Sequence, residues 1–249
     1  MILKLYKRIN CKMKLLLKVI SNIYYKEKLT FDFNNYEKKL YEINGIKPTN
    51  RASLALKYIQ SNLLDTIDEV LDIGSGSGYH SEYLRQLGLN VTSFDFGTSY
   101  YFKMSNNQEF IKGDFNTYNF TKKYDLTFAS HVLEHQPNVH DFIKKMMFVT
   151  KLGGYICITV PPKKDLIVGG HLTLWNSGLL LYNMCFAGLD MSDCILFQYD
   201  YNITIITKNI HRSNLTLDYD KGDILKLLKY LPDGINEPFD GNIYQINYY

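Results

Sequence analysis

The sequence predicts an α/β fold built around a mostly parallel sheet, and three observations carry that prediction. Short apolar runs alternate with amphipathic segments from about residue 63 to 187, which is the pattern of βαβ units. The first run ends in an acidic residue and a three-glycine turn, Asp72-Ile73-Gly74-Ser75-Gly76-Ser77-Gly78, and a helical pattern follows at once. Two later apolar runs, at 195–197 and 203–207, are separated by only a short connection, so an antiparallel hairpin closes the sheet. A chain of 249 residues that is 46% hydrophobic can bury a full core of this kind.

Taken in order, residues 1–60 read as mostly helical, with a helix-start signal at Pro48-Thr49-Asn50 ahead of Ser53-Leu54-Ala55-Leu56. Strands are expected at 69–73, 91–95, 109–112, 124–129 and 154–160, with helices at 77–87, about 98–105 and 138–150. Lys151-Leu152-Gly153-Gly154 punctuates the entry to the fifth strand. A helix near 174–187 precedes the terminal hairpin, and beyond residue 209 come a polar loop, a short helix at 224–231 and a Gly/Pro/Asn-rich tail. The domain boundaries that follow are 1–62 for an N-terminal helical cap, 63–208 for the sheet domain and 209–249 for a C-terminal extension.

Charge is unevenly placed. Residues 1–28 hold eight basic residues against Glu27 alone, whereas the whole chain is net +3, so the remainder is slightly acidic. The basic stretch is interrupted by apolar residues, as in an amphipathic helix that packs one face on the domain or rests on an anionic membrane. No small-residue cleavage site follows it, so a signal peptide is not expected. No apolar run approaches the roughly 18 residues a spanning helix needs. The four cysteines, Cys11, Cys157, Cys185 and Cys194, show no C-x-x-C spacing, so reduced, buried thiols and a cytoplasmic setting are expected. A basic tract without a broad basic face argues against nucleic acid as the partner.

The glycine turn is where chemistry begins. Glycines let the backbone turn sharply and approach a ligand, and the following helix N-terminus presents free N–H groups. The G-x-G-x-x-G dinucleotide fingerprint does not fit, because Tyr79 stands at its third glycine. A P-loop is excluded, since no Gly-Lys-Ser/Thr follows. Asp-Ile-Gly-Ser-Gly-Ser-Gly instead resembles motif I of the class I S-adenosylmethionine (SAM) methyltransferases, and the resemblance extends through roughly 63–208. It implies a Rossmann-like, seven-stranded sheet with the final hairpin noted above.

The resemblance also assigns a cofactor site. Asp72, Gly74, Ser75, Gly76, Gly78 and Tyr79 would face the amino-acid end and ribose of SAM. Asp95, at the end of the second strand, would accept from the ribose hydroxyls, and Asp114 from the adenine amine. Phe96 and Phe115 would contact the adenine faces, and Ser130, just after the fourth strand, completes the set. Each aspartate alone could be a turn residue. Three at successive strand C-termini, where open α/β sheets bind ligands, point to a site.

Methyl transfer is an in-line displacement, so the protein must position an acceptor and manage its proton. After the fourth strand the chain reads Ser130-His131-Val132-Leu133-Glu134-His135-Gln136-Pro137. His131, Glu134 and His135 fall at i, i+3 and i+4, on one face of a helical turn. The H-x-x-E-H string also matches an inverted zinc-protease motif, but here it follows a buried strand instead of opening a long helix, which excludes that reading. His171, in Gly169-Gly170-His171-Leu172-Thr173-Leu174-Trp175, supplies a further imidazole. The two regions together are similar to the metal site of small-RNA 2′-O-methyltransferases, and bacterial sugar O-methyltransferases look similar in the same places. That likeness implies a set of His131, Glu134, His135 and His171 that either acts as a metal-free base or holds a divalent transition ion. His80 opens the first helix near the cofactor, while His140 and His211 are expected to face solvent.

Between them, Pro161-Pro162-Lys163-Lys164-Asp165-Leu166-Ile167-Val168 reads as a mobile lid, with two lysines able to meet a phosphate. The resemblance to methyltransferases encoded with capsule and lipopolysaccharide genes implies O-methylation of a sugar-type acceptor, nucleotide-activated or free. Alternatives are methylation of a phosphoramidate capsule modification, a nucleic-acid 2′-O-methyltransferase, and a non-catalytic SAM-binding partner subunit.

Overall fold

A computed structural model of the chain describes residues 51–103 and 110–248. Its centre is one eight-stranded sheet of order β3-β2-β1-β4-β5-β7-β6-β8. The strands are β1 (Glu69–Ile73), β2 (Asn90–Asp95), β3 (Phe110–Lys112), β4 (Tyr124–Ser130), β5 (Thr150–Val160), β6 (Ile195–Tyr199), β7 (Asn202–Lys208) and β8 (Gln245–Ile246). The first five pair in parallel, and β7, β6 and β8 are antiparallel to their neighbours. The order reverses between β1 and β4, which opens a crevice at their C-terminal ends.

The two sheet faces follow directly from strand alternation. Leu71, Ile73, Phe94, Ala129, Ile156 and Ile158 face one layer, under α4 (Val139–Val149) and α5 (Ser177–Ala187). Val70, Leu126, Phe128 and Cys157 face the other, under α1 (Ser53–Tyr58) and α2 (Tyr79–Gln86). A central strand covered on both sides must be apolar on both, which is why these runs read as continuous. Asn138 and Asn176 cap α4 and α5 by accepting from Asp141 N and Leu179 N, and Gly188 ends α5 at φ 121°.

Several expectations are corrected. The sheet has eight strands, not seven: the C-terminal tail returns so that Gln245 and Ile246 pair with Phe197 and Leu196, which covers an edge that would otherwise stand unpaired. Gly153 and Gly154 lie inside β5, where the pairing register shifts, and not ahead of it. Of the expected N-terminal cap, residues 1–50 lie outside the described residues; the rest is α1 and a π-helical turn, Ile59–Leu63. The short helix after β2 is described as α3 (Tyr100–Lys103), and the late helix splits into α6 (Asp223–Leu227) and a 3-10 turn, Leu228–Tyr230. Cys157, Cys185 and Cys194 are free and buried; Cys11 lies outside the described residues. Among the described residues no helix is long and apolar enough to cross a membrane.

Candidate active site

Gly74, Gly76 and Gly78 carry φ of 70°, 52° and 78°, a left-handed run that a side chain would strain. Asp95 braces this turn. Its Oδ2 accepts from Gly76 N at 2.9 Å and its Oδ1 from Gly97 N at 2.7 Å, and each oxygen retains a further lone pair for a ligand. Beside it Phe96 is 52% exposed. Ser75 Oγ and Ser130 Oγ, at the ends of β1 and β4, are buried with no hydrogen-bond partner. Buried hydroxyls are seldom left so, and these two fit a polar ligand lying across the crevice.

The remaining predicted cofactor residues make contacts within the chain. Asp72 Oδ2 accepts from Ser81 Oγ at 2.6 Å, Ser81 Oγ from Ser93 Oγ at 2.7 Å, and Ser93 Oγ from Arg85 Nη2 at 2.8 Å. That buried chain ties β1, β2 and α2 together, and burial pushes the Asp72 carboxyl up to about 6. Tyr79 opens α2 with its ring edge-on to His80. Asp114 Oδ1 accepts from Asn116 N and Nδ2, and Asn116 Nδ2 also donates to Gln136 Oε1. Phe115 is buried against Phe94 and Phe142 in the aromatic core. Asn116 and Gln136 are not marked by the sequence, where isolated amides carry no signal.

The turn after β4 packs straight onto the glycine turn: a Cβ on Gly74 would lie 2.4 Å from Val132 Cγ2. Only a 3-10 turn, Leu133–His135, forms here, and His131 sits in left-handed backbone at φ 56°. The α-helical face expected for His131, Glu134 and His135 is therefore absent. Their side chains meet around Glu134, which is fully buried with neither carboxylate oxygen hydrogen-bonded. His131 Nδ1 lies 3.5 Å and His135 Nε2 3.8 Å from Glu134 Oε1, too long for hydrogen bonds.

His171 completes the group. Leu172 N and Thr173 N donate to the Glu134 carbonyl at 2.7 and 3.2 Å, and His135 Nδ1 lies 2.6 Å from Gly170 O. The His135 and His171 rings meet edge to face at 5.0 Å. Burial lowers the His171 pKa, and the Glu134 carboxylate acts against that shift. One ligand atom each from Glu134, His135 and His171 lie within 4.8 Å of one another. An oxygen and two imidazole nitrogens suit a divalent transition ion or zinc. His131 is not part of this trio; its Nε2 lies 3.0 Å from Asn202 Oδ1 and its Nδ1 3.5 Å from Glu134 Oε1.

The expected lid is a loop closed at its base by Lys163 N donating to Trp175 O at 2.7 Å, with Trp175 buried. Leu166, Ile167, Leu172 and Leu174 on it are exposed. Lys164 Nζ lies 4.0 Å above the Tyr201 ring. His80 donates from Nε2 to Arg51 O at 3.0 Å, and burial holds its pKa down to about 4. His140 is half-buried against Phe186, not solvent-facing; His211 is exposed.

Comparison with known proteins gives one family match: residues 71–158 fit the methyltransferase domain. A malonyl-[acyl-carrier protein] O-methyltransferase of Calditerrivibrio nitroreducens is 24% identical over 60% of this chain and 62% of its own length. A ubiquinone biosynthesis O-methyltransferase of Rickettsia bellii is 27% identical over 53% of this chain and 58% of its own. The chain thus spans about 60% of the length of these relatives. A SAM-dependent methyltransferase structure from Archaeoglobus fulgidus superposes with a TM-score of 0.51 at 18% identity, covering 63% of this chain and 93% of that one. A chain from the Haloferax volcanii complex of the Trm112 activator with a methyltransferase gives 0.52 at 14%, covering 74% and 98%. These likenesses establish the methyltransferase fold.

Proposed function

We propose that this chain, which carries a methyltransferase domain on the methyltransferase fold, is a SAM-dependent O-methyltransferase that acts on a hydroxyl of a sugar or related small acceptor in bacterial surface-polysaccharide synthesis. One observation carries the chemical half of this reading. A fully buried carboxylate, Glu134, lies unpartnered among imidazoles, beside a glycine turn whose neighbouring hydroxyls are also unpartnered. Bound SAM would supply an electrophilic methyl group on sulfur, and Asp95, the 74–78 turn, Ser75 and Ser130 would hold it.

The chain's own residues manage the acceptor. The hydroxyl oxygen bonds to the methyl carbon as the carbon–sulfur bond breaks, sulfur keeps that electron pair, and the hydroxyl proton passes to an imidazole of the Glu134 group. His135 suits this role best: Gly170 O is an acceptor, so Nδ1 carries the ring's proton and Nε2 is left bare. Alternatively, Glu134, His135 and His171 would hold a divalent cation through that same His135 nitrogen, and the cation would acidify the hydroxyl directly. Oxygen as the methylated atom is in keeping with the names of both relatives. The sugar class rests on the similarity of the 131–137 and 169–175 segments to sugar O-methyltransferases. One feature favours a second acceptor class: the exposed aliphatic side chains at 166–174 would suit a hydroxyl compound with a hydrocarbon portion.

The test is release of S-adenosylhomocysteine against free and nucleotide-activated sugars, sugar phosphates, phosphoramidates, short RNAs and phenolic or lipid-tailed alcohols. Each is run after chelation and after return of Mn²⁺, Co²⁺ or Mg²⁺. Turnover on a sugar supports the reading. Turnover confined to lipid-tailed or phenolic compounds replaces the acceptor class, and failure to bind SAM overturns the activity itself.

A further inference from the structure

We infer that Asn202 is a positioning residue for the Glu134 group: its side-chain oxygen sets which nitrogen of His131 carries the proton, using the same atom that anchors the backbone at residue 52. The inference depends on the methyl-transfer reading only where activity is measured.

β7 runs antiparallel to β5, so its first residue arrives at the edge where the parallel strands end. Asn202 is fully buried there. Its Oδ1 lies 3.0 Å from His131 Nε2 and accepts Ala52 N–H at 3.2 Å. A backbone N–H can be met only by the oxygen end of an amide, which fixes the orientation of the group. The atom facing His131 is therefore an acceptor, and His131 Nε2 must donate. In the neutral ring Nδ1 is then bare, and it is this nitrogen that points at Glu134 Oε1 from 3.5 Å. His131 cannot readily turn away, because its N–H is held by Thr159 O at 2.8 Å in left-handed backbone.

His135 repeats the arrangement from the other side, with Nδ1 committed to Gly170 O and Nε2 facing the same carboxylate. In the neutral rings, the nitrogens not engaged by Asn202 and Gly170 thus both face Glu134 Oε1. If His131 adopted the opposite tautomer, its Nδ1–H would face Glu134 as a donor. By holding the proton on Nε2, Asn202 leaves Nδ1 of the neutral ring facing Glu134 as an acceptor. Asn202 would act through His131. Its Oδ1 also accepts Ala52 N–H, just ahead of α1. Nothing in the sequence marks it, since an asparagine heading a strand usually serves the turn.

The experiment is long-range ¹H–¹⁵N correlation of the histidine rings in the full-length, ¹⁵N-labelled chain at about pH 8.5, above the ordinary histidine range. His131 signals are assigned by their loss in His131→Gln. The expected result is a proton on Nε2 and none on Nδ1. A proton on Nδ1, or on both nitrogens, would overturn the inference in the unmodified protein. Asn202→Leu removes the acceptor and should populate the Nδ1–H form, lowering S-adenosylhomocysteine release by roughly tenfold or more while SAM affinity holds. Asn202→Asp restores an acceptor oxygen and should restore the Nε2–H signature, even if the leucine variant does not fold. An unchanged His131 tautomer in folded Asn202→Leu, or no restoration in Asn202→Asp, counts against it. Failure of the methyl-transfer reading would show separately, as absent SAM binding by the unmodified chain, and would leave the ring assignments standing.

Discussion

Gly170 O lies 2.6 Å from His135 Nδ1, and that bond, with those from Leu172 N and Thr173 N to Glu134 O, joins the loop after β5 to the turn after β4. It orients the imidazole whose other nitrogen faces Glu134. It also explains the glycine: φ is 81°, and a Cβ would stand 3.1 Å from Nδ1 itself. Gly170→Ala should therefore push the ring off its acceptor and strain the backbone. Displacements of this size typically cost about a hundredfold in rate. Steady-state kinetics should show kcat falling with SAM affinity intact; unchanged kcat would mean that His135 is not the group receiving the proton.

Asp95 binds two backbone N–H groups through two oxygens, one in each glycine loop. Asp95→Asn offers an NH₂ where one of those oxygens accepted, so one loop loses its brace and the ribose its charged acceptor. A hydrogen bond to a charged group is worth about 1.5–3 kcal/mol, which corresponds to roughly tenfold to a hundredfold in SAM affinity. Calorimetric titration with SAM checks it, and unaltered affinity would remove Asp95 from the cofactor site.

Gly74 has a different reason for being glycine. The contact a Cβ would make is with the Val132 side chain at 2.4 Å, and φ is 70°. Gly74→Ala combines overpacking with left-handed strain, for a loss of about 2–4 kcal/mol. Adding Val132→Ala should return the overpacking part and leave the strain. Thermal melts of the two single variants and the double variant measure that coupling; strict additivity would show that the turns do not press on each other.

Much of this was legible in the chain because it is periodic or local. The parallel strands announce themselves as apolar runs buried on both faces, and the glycine turn as three residues with no Cβ. What the sequence could not show is long-range. β8 is two residues, Gln245 and Ile246, whose strand character comes only from the edge of β6 they meet. Spacing suggested a helical face for His131, Glu134 and His135, but β4 delivers His131 in left-handed backbone and a 3-10 turn follows. Phe115 reads as an adenine contact by position, and the sequence gives no hint that its ring also packs with Phe94 and Phe142. Asn202 and the Gly170 carbonyl are identifiable only once β7 and the 163–174 loop are brought to the sheet's reactive edge.

Asp72 and His80 should make the ligand-free protein's stability deceptively flat in acid. Burial raises Asp72 from 3.8 to about 6, so between those values the folded chain binds the extra proton and stability falls as pH rises. Burial lowers His80 from 6.5 to about 4, so in nearly the same window the unfolded chain binds the extra proton and stability climbs as pH rises. Each slope approaches about 1.4 kcal/mol per pH unit, and they oppose. Asp72→Asn keeps an acceptor for Ser81 and removes the first slope. Its melting temperature should then rise steeply from about pH 4.5 to 6.5 while that of the unmodified chain changes little. His80→Gln should show the reverse, losing stability over the same range. Parallel curves for all three proteins would mean that neither group is held as its burial implies.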